Sequence, residues 1–153
     1  MAKPFSLQPL VHLAQKKTNT DIKTLGFLIN NHQAAQNKLN MLQQYRKDYQ
    51  EKMQSTEKEG MGLEDLRNFQ DFIYRLDDAI AQQNAVVTQA HSAVTNGQNE
   101  LVKSKTRMNS FETLAQRHVL AEKHLEAKIE QKTQDEHSGR RAAYKNAEPD
   151  TEY

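Results

Sequence analysis

The 153-residue chain contains no cysteine and no tryptophan, only five glycines and three prolines, and 7% aromatic side chains. Without cysteine there can be no disulfide, thiolate nucleophile or Cys-based metal site, which suits a reducing compartment. An excess of one charge is also missing. Lys and Arg number 21 against 20 Asp and Glu, a formal net charge of +1. That balance gives no general attraction to nucleic acid or to an anionic membrane. No apolar run approaches the roughly 20 residues of a membrane span. The opening Met1-Ala2-Lys3-Pro4-Phe5 leads into a mixed polar stretch, without the continuous apolar core of a signal peptide. A soluble cytoplasmic protein is the expectation. The apolar fraction of 36% and mean hydropathy of −0.94 are low for a compact core.

What the chain does have is rhythm. From Leu66 to Ile129, with no intervening proline, a stripe advances in alternating steps of three and four residues. It reads Leu66, Phe69, Ile73, Leu76, Ile80, Gln83, Val87, Ala90, Val94, Gly97, Leu101, Ser104, Met108, Phe111, Ala115, His118, Glu122, Leu125, Ile129. Held this long, the pattern predicts a coiled-coil seam and argues against disorder. A helix of some 70 residues is on the order of 100 Å long, so the sequence predicts a rod with no obvious pocket.

A first arm carries the same seam through Leu7, Val11, Ala14, Thr18, Asp21, Leu25, Leu28, His32, Ala35, Leu39 and Leu42, then Tyr49 and Met53, with Arg46 interrupting. Thr18, Asp21 and Gly26 are soft spots, and glycine inside a helix costs about 1 kcal/mol against alanine. Gly60-Met61-Gly62 breaks the rhythm. The expected organisation is a single all-α unit: helix one over 5–55, a turn over 56–63, helix two over 64–137 and a flexible tail over 138–153. A short connection between two long helices makes an antiparallel hairpin the simplest topology. With the turn centred near residue 60, position i faces about 119 − i, and residues from His118 onward lack a partner within the chain. That open seam, holding Leu125 and Ile129, offers a place for another protein or for end-to-end self-association.

The same pairing gathers Tyr45 and Tyr49 near Phe69, Phe72 and Leu76. Phe72, Ala79 and Val86 form a second strip beside the seam. This is either a contact surface or a thickening of the hairpin end.

Catalytic chemistry finds little foothold. There is no phosphate loop and no His-Glu-x-x-His pair. The histidines at 12, 32, 91, 118, 124 and 137 form no i,i+4 pair, so no metal site is expected, and no cofactor. Asp77-Asp78 and Asp135-Glu136 read as solvated carboxylates. Lys103, Lys105 and Arg107 read as a solvated basic face in preference to a nucleic-acid site. The expected protein is not an enzyme.

The run Leu42-Gln-Gln-Tyr45-Arg-Lys-Asp-Tyr49 resembles the Leu-x-x-Tyr-x-x-x-Tyr signature of the flagellar FliJ family. Gly60-Met61 follows, then Leu66-Arg-Asn68-Phe69-Gln70-Asp-Phe72-Ile73, Leu76, Ala79-Ile80 and Gln82-Gln83, in the order and spacing of that family's central segment. Phe5-x-Leu7-x-x-Leu10 near the start and Gln131-Lys132-x-x-Asp135-Glu136 near the end extend the likeness over nearly the whole chain. Two positions depart from the pattern: Leu101 lies in a stretch where members often carry tryptophan, and Gln83 stands where some have histidine.

The resemblance implies a cytoplasmic component of the flagellar type III export apparatus, folded as a two-helix antiparallel coiled coil similar to a rotary-ATPase stalk. It implies contact with the export gate's cytoplasmic domain through Leu42, Tyr45, Tyr49, Phe72, Leu76 and Ala79. It also implies insertion of the joined termini, around Phe5, Leu7, Leu125 and Ile129, into the hexameric export ATPase. Export chaperones are further implied partners, and membrane association would be peripheral, through the gate only. The corresponding stalk of a virulence secretion system and a generic coiled-coil scaffold remain alternative readings.

Overall fold

The computed structural model describes residues 3–147. It is all-α, with helix α1 at Gln8–Glu59 and helix α2 at Leu63–Ala147, packed antiparallel as a hairpin. α1 starts three residues later than its apolar rhythm suggests, and Pro9 is the reason. A helix begun at Phe5 would need the Pro9 nitrogen to donate to the Phe5 carbonyl, and proline has no N–H. Started at Gln8, the helix holds Pro9 in its first turn, where no donor is required. The Leu7 carbonyl instead accepts from Val11 N–H at 3.1 Å.

The turn is shorter than expected, because α1 continues through residues 56–59. There the Thr56 hydroxyl donates to the Lys52 carbonyl at 2.8 Å. Gly60 ends the helix at φ +96°, a left-handed conformation that costs other residues roughly 1–2 kcal/mol. Its N–H reaches the Glu57 carbonyl at 3.2 Å. α2 then opens with Glu64 and Asp65 in its first turn, favourably placed at the positive end of a helix dipole. At its far end α2 runs past 137, through Gly139 to Ala147. Arg140, Arg141, Ala142, Ala143 and Lys145 are strong helix formers and outweigh one glycine. Residues 148–153 of the expected tail lie outside the described residues.

The chain divides into two compact units. One, Lys16–Lys105, contains the turn. Contacts cross between the helices in pairs that step in opposite directions: the Tyr49 ring with Phe69, the Gln83 Nε2 donating to the Ala35 backbone carbonyl at 2.9 Å, the His32 ring with His91, and Asp21 with Ser104. His91 is about one helical turn beyond the partner expected for His32. The break centres on Met61, flanked by Glu59 and Leu63, and the pairs move from one residue short of 119 − i at Tyr49 and Ala35 to several residues beyond it at His32 and Asp21. Ala35, Leu39, Ile73, Leu76 and Gln83 are buried, and the intervening seam positions are half-buried. Gly97 faces Leu25 and Leu28, and a Cβ there would sit 3.0 Å from the Leu28 methyl.

The second unit joins the start of α1 to α2 from Thr106 onward. Val11 and Ala14 are buried in it. The Phe5 ring lies 5.4 Å from that of His118, whose Nε2 is 2.9 Å from the Lys3 carbonyl. His118 and Glu122 are thus still half-buried, where pairing arithmetic had left them open. From Lys123 to Ala147 every residue is exposed. No helix among the described residues is long and apolar enough to cross a membrane.

Candidate interaction surfaces

Near the turn, the seam makes an exception that creates a surface. Arg46 occupies a position where the rhythm calls for an apolar side chain, and it turns sideways to Asp77 of α2. Its Nε donates to Asp77 Oδ1, its Nη2 lies 3.4 Å from Oδ2, and its Nη1 donates to Gln50 at 3.1 Å. The hydrogen bond that Arg46 donates to Asp77, and the charge of Asp77, raise the Arg46 pKa above the ordinary arginine value, so the guanidinium stays cationic. Asp77 is therefore a paired residue, contrary to the solvated reading of Asp77-Asp78. A turn centred on Met61 aims Arg46 at residue 76, one short of Asp77, and that is the signal that could have found the pair.

Tyr49 fills the next layer. Its ring sits 5.0 Å from Phe69 and 4.3 Å from Phe72, tilted by 47° and 48°, an arrangement that suits the quadrupoles of aromatic rings. On the open side, Tyr45, Asp48, Tyr49, Lys52 and Phe72 line a depression of about 280 Å³. Tyr45 is 55% exposed and Phe72 42% exposed. Both precede a seam position by one residue, so they flank the packed layer instead of entering it. Val86, two heptads beyond Phe72, is exposed on the same strip, and Ala79 between them is half-buried.

The six residues expected to meet a partner here are thus not equivalent. Tyr45 and Phe72 are open; Leu42, Tyr49 and Ala79 are half-buried; Leu76 is buried at 8% exposure. In the other unit, Phe5 and Leu7 are half-buried, whereas Leu125 and Ile129 stand 52% and 57% exposed on the same helical stripe. Val119 and Leu120 are also exposed. Among the described residues no three His, Cys, Asp or Glu side chains converge as a metal cluster.

Comparison with known proteins follows the same full-length pattern. The family described as Flagellar FliJ protein matches residues 3–147. The Flagellar FliJ protein of Escherichia coli (strain K12) is 30% identical over 145 residues, covering 95% of this chain and 99% of that protein. The Flagellar FliJ protein of Salmonella typhi is 29% identical over 145 residues, with the same coverage of 95% and 99%. No solved structure matches the chain. Two helices, an aromatic layer beside the turn and a match from residue 3 to residue 147 place the chain in the flagellar FliJ protein family.

Proposed function

We propose that this chain is a non-enzymatic component of the flagellar type III protein-export apparatus. In this reading it links the export ATPase ring to the cytoplasmic domain of the export gate and escorts export chaperones. It works in the cytoplasm and meets the inner membrane only through the gate. The observation that carries the reading is the family match along residues 3–147, with relatives covered over 99% of their length. Both relatives are flagellar by name, which favours the flagellar system over a virulence one. The geometry supports it by offering one exposed apolar surface in each unit: Tyr45 and Phe72 beside the turn for the gate, Leu125 and Ile129 for the ATPase.

Tyr45 is the clean probe of the first surface, because it is exposed, whereas Tyr49 also packs on Phe69 and Phe72. Tyr45→Ala should retain full helicity and weaken binding of the gate's cytoplasmic domain by at least about tenfold, as expected for an aromatic anchor. The Tyr45→Ala/Tyr49→Ala double variant should abolish it. Unchanged affinity of the double variant in a pull-down would overturn the gate assignment.

A further inference from the structure

Two histidines far apart in sequence meet across the hairpin. His32 is a half-buried seam residue of α1, and His91 is an exposed residue of α2, next to the seam residue Ala90. Their ring centroids are 5.6 Å apart, with the planes tilted by 51°. Two imidazoles bound to one tetrahedral ion, each through a nitrogen about 2.0–2.1 Å away, place their centroids roughly 5 Å apart. The observed separation is within a small side-chain adjustment of that value. Thr95 donates to the backbone carbonyl of His91 at 3.2 Å, and neither imidazole has a hydrogen-bond partner among the described residues.

The surroundings suit a cation held by neutral nitrogen ligands. Residues 24–37 of α1 and 79–99 of α2 contain no Asp, Glu, Lys or Arg. No lysine or arginine of these stretches repels a cation, and no carboxylate competes for it. An all-imidazole site of this kind favours zinc, nickel or copper over calcium or magnesium, which prefer oxygen. We propose that His32 and His91 form a two-histidine site for a divalent transition-metal cation, with water completing the coordination. The bridged stretch also holds the small seam residues Ala35, Ala90 and Gly97 beside Leu28, Val87 and Val94. An ion there ties α1 to α2 at one register. The site is independent of the flagellar reading.

Zinc chloride titrated into the full chain, followed by calorimetry and by thermal melting, tests the site. One zinc per chain and a raised Tm are expected, because an ion that binds only the folded state stabilises it by mass action. Magnesium should give neither. His91→Ala alters an exposed side chain, so folding is spared, and it should weaken zinc binding at least about tenfold, given that even outer-shell changes cost that much. His32→Ala should do the same, while His124→Ala and His137→Ala should bind as the parent does. Zinc affinity unchanged in His91→Ala would overturn the proposal. So would the absence of binding by the parent chain, or zinc-driven association of chains that persists without His91.

Discussion

Asp21 shows how a carboxylate is tolerated on a seam. Its partner across the hairpin is Ser104, another polar residue on the stripe, whose hydroxyl donates to Asp21 Oδ2. Lys17 adds two contacts at 3.2 and 3.3 Å from one turn earlier on α1. The Ser104 hydrogen bond lowers the Asp21 pKa most; partial desolvation opposes it, and Lys17 lowers it further. A carboxylate with a lowered folded pKa contributes stability that is fully present above its ordinary value, about 3.9, and is lost as pH falls through the folded one. Ser104→Ala should therefore melt at a lower temperature than the parent at pH 7. The gap should narrow as melts are repeated at pH values falling below the ordinary carboxylate range, because Asp21 then takes up its proton in the folded chain as well. A gap of constant size across that range would show that Ser104 acts by packing alone. Asp21 and Thr18 were legible as soft spots in the sequence, but the answering Ser104 was not. A turn centred near residue 60 aims Asp21 about six residues short of it, which is nearly two helical turns.

At the scale of the helix, the same amino acid carries opposite meanings in two places. Gly26 has open space around the position of a Cβ, whereas a Cβ on Gly97 would meet Leu28 at 3.0 Å and Leu25 at 3.3 Å. Alanine is favoured over glycine in a helix interior by about 0.8–1 kcal/mol. Gly26→Ala should collect that amount, read as a raised Tm in a melt followed by circular dichroism. Gly97→Ala gains the same propensity but pushes two seam leucines, and overpacking typically costs 1–3 kcal/mol. It should come out at least about 1 kcal/mol less stable than Gly26→Ala. Equal stabilisation by the two would mean that the seam yields freely at Leu25 and Leu28. Periodicity alone could place Gly97 on the stripe. It could not show that two leucines of α1 close over it, because that depends on the register between helices.

For the chain as a whole, periodicity was enough to assign the class of fold, since a seam of alternating threes and fours admits few structures other than packed helices. The seam positions of both helices are buried or half-buried at every step from Leu7 to Met53 and from Leu66 to Glu122. What the pattern could not supply was the point at which pairing stops. Phe5 and Lys3 reach His118, so the last covered position is Glu122 and the open stripe begins at Leu125. That boundary decides how to separate folding from the proposed contact with the ATPase. A truncation after Ala115 would remove the Phe5–His118 contact together with the open stripe, and loss of function would have two causes. A truncation after Lys123 keeps His118 and Glu122 and removes Leu125, Ile129 and the exposed remainder of α2. Every residue removed between Lys123 and Ala147 is solvent-exposed, so the Tm of the shortened chain should match that of the parent. Under the proposed function, its binding to the export ATPase and any effect on the ATPase rate should be lost, while binding to the gate's cytoplasmic domain through Tyr45 and Phe72 should persist. Full ATPase binding by the shortened chain would remove Leu125 and Ile129 from the proposed contact and leave Phe5 and Leu7 as the residues to test.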